Sequence, residues 1–209
     1  MSGTIAAMRT RRVGAAALLI ECAGGAEVEA WRAELWRRRD QGELAAVEII
    51  PGARTVLLDG VDPETTDRLL AGWAPPPPAG TVSGELVTIP VWYDGSDLVD
   101  VAAHWGVPVA EAVERLAGTE LRVAFCGFAP GFAYLAGLPA SWAVPRLASP
   151  RPRVPAGSVG LAGEYAGIYP TASPGGWRLV GRTDAVLFDV RRDPPALLAP
   201  GTRVRLVPA

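Results

Sequence analysis

Four consecutive prolines at positions 75–78, followed by Ala79-Gly80, constrain this 209-residue chain more than any other feature. Proline has no backbone N–H and a fixed φ, so such a run fits neither a helix interior nor a central strand. It predicts a stiff, extended connector between an N-terminal domain, residues 1–80, and a C-terminal domain, residues 81–209.

The pattern around the connector is regular. Residues 13–22 read as a buried strand and 27–39 as a helix with Val28, Trp31 and Leu35 on its apolar side. Residues 44–50 and 55–58 read as a hairpin around Pro51-Gly52. Asp62-Pro63 opens a second helix through Leu70, because Asp caps and Pro suits the first turn. A strand at 85–90 completes a βαββαβ order, which predicts an α+β, ferredoxin-like sandwich. Two short helices follow, 97–105 and 109–116, with Asp97 and Pro108 as start signals. From Gly118 onward the texture changes: 92 residues hold 12 glycines and 12 prolines. Short apolar runs at 122–126, 159–162, 177–180, 186–190 and 203–207 separated by such turns predict a β-barrel or a β-sandwich.

Composition removes whole classes of chemistry. All 20 basic residues are arginine, and the chain has no lysine, no asparagine, one histidine (His104) and two cysteines (Cys22, Cys126). Without lysine there is no Schiff base, no P-loop lysine and no attachment point for biotin or lipoate. Without asparagine there is no Cys-His-Asn triad. One histidine and two distant cysteines do not make an ordinary zinc site, and no metal is expected. A net charge of -2 argues against nucleic acid as a partner. Residues 1–117 carry 10 arginines against 17 acids, and residues 118–209 carry 10 against 5. That imbalance predicts a small anionic ligand, or an acidic partner, for the β-rich part. Arg9, Arg11 and Arg12 before the apolar run 13–20 mimic an export signal. Glu21 ends that run after eight residues, so a strand is expected there. No stretch approaches the roughly 20 apolar residues of a membrane span. With two cysteines and no disulfide scaffold, the cytoplasm is the expected compartment.

Three neighbouring segments look like a site. In Phe125-Cys126-Gly127-Phe128-Ala129-Pro130-Gly131-Phe132-Ala133-Tyr134-Leu135, two Gly-Phe pairs flank a proline, a rigid loop where backbone can approach a ligand. Its Phe128, Phe132 and Tyr134, with Trp177, are expected to form an apolar partner surface. In Pro145-Arg146 through Pro150-Arg151-Pro152-Arg153-Val154-Pro155-Ala156-Gly157-Ser158, prolines fix the backbone and arginines offer carboxylate- or phosphate-sized forks. In Tyr169-Pro170 and Ser173-Pro174-Gly175-Gly176-Trp177, the two glycines could turn successive N–H groups toward an anion. Arg151, Arg153, Ser158, Tyr169, Ser173, Gly175, Gly176 and Arg182 are therefore the candidate anion-binding residues. The arginines read equally as structural donors to backbone carbonyls. No residue stands out as catalytic. Cys126 reads as a structural thiol, His104 as a packing or surface residue, and Arg37-Arg38-Arg39 as a solvated helix face.

These segments, FCGFAPGFAYLAGLP, PRPRVPAGSVGLAG, GIYP and SPGGWRLVGRT, closely resemble the B subunit of bacterial 5-oxoprolinase. That family is also described as allophanate hydrolase subunit 1, as KipI-like, or as one half of a urea carboxylase carboxyltransferase domain. The resemblance is dense from about Arg122 to Asp189. It implies a cyclophilin-like barrel and a tight hetero-oligomer with a homologous C subunit, joined by an A subunit. It also implies ATP as co-substrate in opening 5-oxo-L-proline to L-glutamate. Alternatives within the family are carboxyl transfer in a urea or allophanate pathway and a non-catalytic, KipI-like inhibition of a histidine kinase. The sequence departs from the pattern in two places. Ala117 stands where a histidine is usual, and Tyr165-Ala166 where Gln-Thr is common. Those departures imply altered specificity, divergence or a regulatory role.

Overall fold

The computed structural model describes residues 9–73 and 85–209. The chain divides into two compact units, residues 1–83 and 84–209. Pro75–Pro78, and so the expected stiff connector, lie outside the described residues.

In the first unit, β1 (Arg9–Val13) and β2 (Ala17–Glu21) form a hairpin, followed by α1 (Gly25–Asp40), β3 (Glu48–Pro51), β4 (Thr55–Asp59) and α2 (Pro63–Leu70). The sheet order is β1-β2-β4-β3, with every neighbouring pair antiparallel. β2, α1 and β3 thus form a βαβ unit with β4 inserted between its strands. Two expectations change here. The predicted strand 13–22 is broken by a turn at Gly14, whose φ of 63° needs a residue without a Cβ. The basic run before it, read as an export mimic, is edge strand β1. α1 buries Val28, Trp31 and Leu35, as their spacing predicts, against Ile20, Val56 and Leu58. α2 is capped by Asp62, whose carboxylate accepts from the Thr65 N–H at 2.8 Å.

The strand predicted at 85–90 belongs to the other unit. There β5 (Leu86–Val91), α3 (Leu98–His104), α4 (Val109–Gly118), β6 (Glu120–Cys126) and β7 (Ala133–Ala136) are followed by β8 (Arg151–Val154), β9 (Ser158–Ala162) and β10 (Tyr165–Ile168). β11 (Ser173–Gly175), β12 (Arg178–Arg182) and β13 (Arg203–Pro208) complete it. Seven strands run in the order β12-β9-β10-β7-β6-β13-β5, with β13 and β5 parallel. The outer strands approach closure: Trp92 and Arg182 exchange backbone hydrogen bonds of 2.9 Å, and the Gly95 N–H reaches the Val180 carbonyl. A Cβ on Gly181 would lie 2.5 Å from the Trp92 oxygen, so glycine is required at this seam. The result is a nearly closed mixed barrel around Ile89, Val91, Leu121, Leu135, Leu161, Val204 and Leu206. β8 and β11 form a separate two-stranded ribbon. The strand predicted at 186–190 does not form. Only Phe188 bridges to Ala196, because Pro194 and Pro195 opposite it cannot donate to a ladder.

Candidate functional site

Strand alternation builds the site. Val159 and Leu161 of β9 face the barrel core, as do Ala166 and Ile168 of β10. Their neighbours Gly160 and Gly167 point outward and sit directly opposite each other in the β9–β10 pairing. Two facing glycines leave a bare patch on the barrel's outer surface. A Cβ on Gly167 would stand 2.9 Å from both the Phe132 and Trp177 rings, and one on Gly160 would stand 3.0 Å from Trp177. Phe132, Tyr169 and Trp177 therefore settle on this patch with Val154, Ala162 and Leu179, forming a second apolar cluster outside the barrel core. Phe132 meets Tyr134, Tyr169 and Trp177 edge-on at 5.0–5.5 Å, a preferred aromatic geometry.

This cluster walls a cavity of about 440 Å³, large enough for a small organic ligand. Phe128, Tyr134, Tyr165, Tyr169 and Trp177 supply rings, Pro174 and Gly175 an edge, and Arg146 the cavity's one charge. A Cβ on Gly175 would lie 2.3 Å from the Tyr169 hydroxyl, so that glycine lets the tyrosine reach the β11 backbone. Burial pushes the Tyr169 phenol up, partly offset by a backbone hydrogen bond from Trp177 and by the charge of Arg146. Burial also raises Tyr165, helped by Glu164. Both stay protonated donors at neutral pH. Phe128 has a φ of 70°, a left-handed backbone rarely adopted by a bulky residue, and is 61% exposed beside the cavity. Such strain costs on the order of 1–3 kcal/mol and concentrates at functional sites.

The predicted residues distribute unevenly. Tyr169, Gly175, Phe128, Phe132, Tyr134 and Trp177 line the cavity. Of the four aromatics expected on a partner surface, only Phe128 is largely exposed. Phe132 and Trp177 are buried by their packing on the glycine patch. Arg151, Arg153 and Arg182 do not gather. Arg151 donates from one nitrogen to both Asp97 oxygens, at 2.7 and 2.9 Å, and from another to the Trp177 carbonyl at 3.2 Å. Arg182 pairs with Asp94 and lies over the Trp92 ring at the barrel seam. Arg153 is exposed on β8 and does not line the cavity. Ser158 is buried in β9, its carbonyl accepting from the Tyr169 N–H. The Ser173 hydroxyl is buried without a partner among the described residues. Gly175 and Gly176 both have ordinary φ, and Gly175 lies in β11, so they do not form the expected turn of converging N–H groups. Instead the Gly176 carbonyl accepts from Leu147, whose neighbour Arg146 lies across that glycine.

Charge is distributed differently from the expectation. The imbalance between 1–117 and 118–209 follows from cutting inside a folding unit. Residues 84–209 hold 11 arginines and 11 acids. Asp94, Asp97, Asp100 and Glu120 neutralise Arg182, Arg151, Arg178 and Arg203. Asp97 heads α3 as expected, but its carboxylate does not cap the helix. It accepts from Arg151 and from the Leu179 N–H at 2.6 Å. Arg146 was visible in sequence beside Pro145. What hid its place in the cavity wall was the absence of any sign that the charges of the other arginines would be cancelled. Cys126 and His104 serve packing: the thiol donates to the Leu198 carbonyl at 3.6 Å, and the His104 ring bonds the Ala143 carbonyl at 3.0 Å. Tyr165, a departure from the expected Gln, lines the cavity, whereas Ala166 faces the barrel core.

An open barrel-side cavity with a single cation and aromatic walls, in a chain with this topology, defines a class. The family model for the carboxyltransferase domain, subdomain C and D, matches residues 8–198, and the chain belongs to that family. It is similar to the B subunit of 5-oxoprolinase from Escherichia coli O157:H7, 45% identical over 169 residues and covering 78% of each chain. Among solved structures, TTHA0988 matches with a TM-score of 0.75 and 33% identity; the match covers 93% of this chain but only 40% of that longer one. The K. lactis urea amidolyase matches at 0.70 over 97% of this chain and 15% of its own, at 19% identity, a likeness of fold alone.

Proposed function

We propose that this chain acts as the B subunit of a 5-oxoprolinase-type amidohydrolase, converting 5-oxo-L-proline, ATP and water to L-glutamate, ADP and phosphate. In this reading the barrel is cyclophilin-like and the chain supplies half of a site completed by a homologous C subunit, with an A subunit in the same system. The observation that carries the proposal is the lining of the cavity. Among the described residues it holds a cation, three tyrosines and backbone, but no Asp, Glu, His, Ser or Cys. Such a set can bind an anion and donate hydrogen bonds to developing negative charge, yet has nothing to abstract a proton from water near pH 7. The 45% identity to a 5-oxoprolinase B subunit supports this reaction over carboxyl transfer. The test is reconstitution with the cognate subunits and measurement of ATP-dependent glutamate release. Full activity is expected only with all partners present, and none under that condition sinks the proposal.

A further inference from the structure

We propose that the aromatic cavity is the carboxylate-recognition pocket of this system, with Arg146 as the residue that selects the acid and Phe128 as the ring that closes over its body. The inference deepens the 5-oxoprolinase reading and rests on it for the choice of probe.

Pairing and position together single out Arg146: Arg153 also pairs with no acid among the described residues, but it is exposed on β8 and does not line the cavity. In the barrel unit, Arg115, Arg151, Arg178, Arg182, Arg191, Arg203 and Arg205 are each within 4.0 Å of a carboxylate. Arg192 donates to the Val186 carbonyl. Arg146 makes no ion pair or hydrogen bond among the described residues, although it lines a cavity with no acid in its wall. Arg146 is exposed at the cavity wall, so an anion can reach its guanidinium without first breaking an ion pair. Its planar fork suits a carboxylate held by two hydrogen bonds. Its Nε and Nη2 lie beside Gly176, 3.7 Å from where that residue would carry a Cβ, an ordinary contact distance.

The same wall fixes the rest of the ligand. One cation matches a monoanion; a triphosphate carries about four charges and has no further cation to meet here. Beyond Arg146 the surface is ring edges and three phenols, which accept a small flat body and can donate to a carbonyl on it. Phe128 completes the wall from its strained backbone, edge-on to Phe132 at 5.2 Å and to Tyr169 at 6.2 Å, with its ring still largely open to solvent. A ligand in the cavity covers that ring.

The experiment is calorimetric titration of the full chain assembled with its C subunit, using 5-oxo-L-proline, 2-pyrrolidinone, which keeps the ring and lacks the carboxylate, and ATP. Wild type is expected to bind the acid about tenfold or more tightly than the neutral lactam. Arg146→Gln and Arg146→Lys should lose most of that preference and leave lactam affinity unchanged. Phe128→Ala should weaken acid and lactam alike. Arg153→Gln is the control and should change nothing. Because Arg146 bonds no other side chain among the described residues, its variants should melt like wild type. Equal affinity for acid and lactam, an unchanged Arg146→Gln, ATP displacing the acid, or no heat with the acid at millimolar concentration would each overturn the assignment. Arg146-dependent acid binding without ATP-dependent turnover in the full assembly would instead keep the pocket and discard the reaction.

Discussion

Asp97 carries more of the site's geometry than any residue that touches the cavity. Its buried carboxylate joins the start of α3 to Arg151 of β8 and to the Leu179 N–H of β12. Arg151 in turn donates to the carbonyl of Trp177, a cavity wall. Arg151 keeps 27% of its side chain exposed, so removing Asp97 leaves a partly solvated charge and an unpaired Leu179 N–H, at about 1–3 kcal/mol. Asp97→Ala should lower stability by that order in chemical denaturation and red-shift tryptophan emission as Trp177 loosens. A variant as stable as wild type would mean Arg151 finds another acceptor. Arg38 corrects a simpler expectation. It is no solvated residue: it bonds Glu34 and Glu43, and its guanidinium lies 4.0 Å from the Trp73 ring centroid. Glu34, held by Arg37 and Arg38, titrates at about 2. Arg38→Ala should destabilise the first unit by about 1–2 kcal/mol through the lost stacking and pairing. An unchanged denaturant midpoint would show that the stacking adds nothing.

At the scale of elements, legibility followed local physics. α2 was readable to the residue because Asp62-Pro63 is a self-contained start signal, and α1 because Val28, Trp31 and Leu35 keep helical spacing. β10 and β11 were not readable, since Gly167, Pro174 and Gly175 are poor strand formers whose pairing is decided by β9 and β8. The outer glycine patch was not legible, because only register places Gly160 and Gly167 opposite each other. Gly167→Ala tests that patch. Its Cβ would meet two rings at 2.9 Å, so Phe132 or Trp177 must shift, costing about 1–3 kcal/mol. The barrel core on the opposite face of β10 should remain intact. The expected result is an altered near-ultraviolet aromatic signal with an unchanged far-ultraviolet spectrum. Identical spectra in both regions would mean the rings do not rest on the patch.

For the whole molecule, the consequential fact is how charge and titration are distributed. Most of the barrel unit's arginines pair with its own acids, and one that pairs with none among the described residues faces the aromatic cavity, whose other ionisable groups among those residues are phenols. Burial raises the Tyr165 and Tyr169 phenols, so each keeps its proton through neutrality and loses it only at a pH above the ordinary tyrosine range. Neither can be the base that activates water near pH 7. In the assembly proposed above, any limb of the kcat/KM profile near neutral pH must then belong to a group outside this cavity. Tyr169→Phe should lower kcat/KM by about tenfold or less, the effect of one lost hydrogen bond, without moving that limb. The measurement is the pH–rate profile of the reconstituted assembly with wild-type and variant chain. A limb that shifts with Tyr169→Phe would place the titrating group here and end the division of labour, whereas an unmoved limb leaves this chain binding the acid and its partner moving the proton.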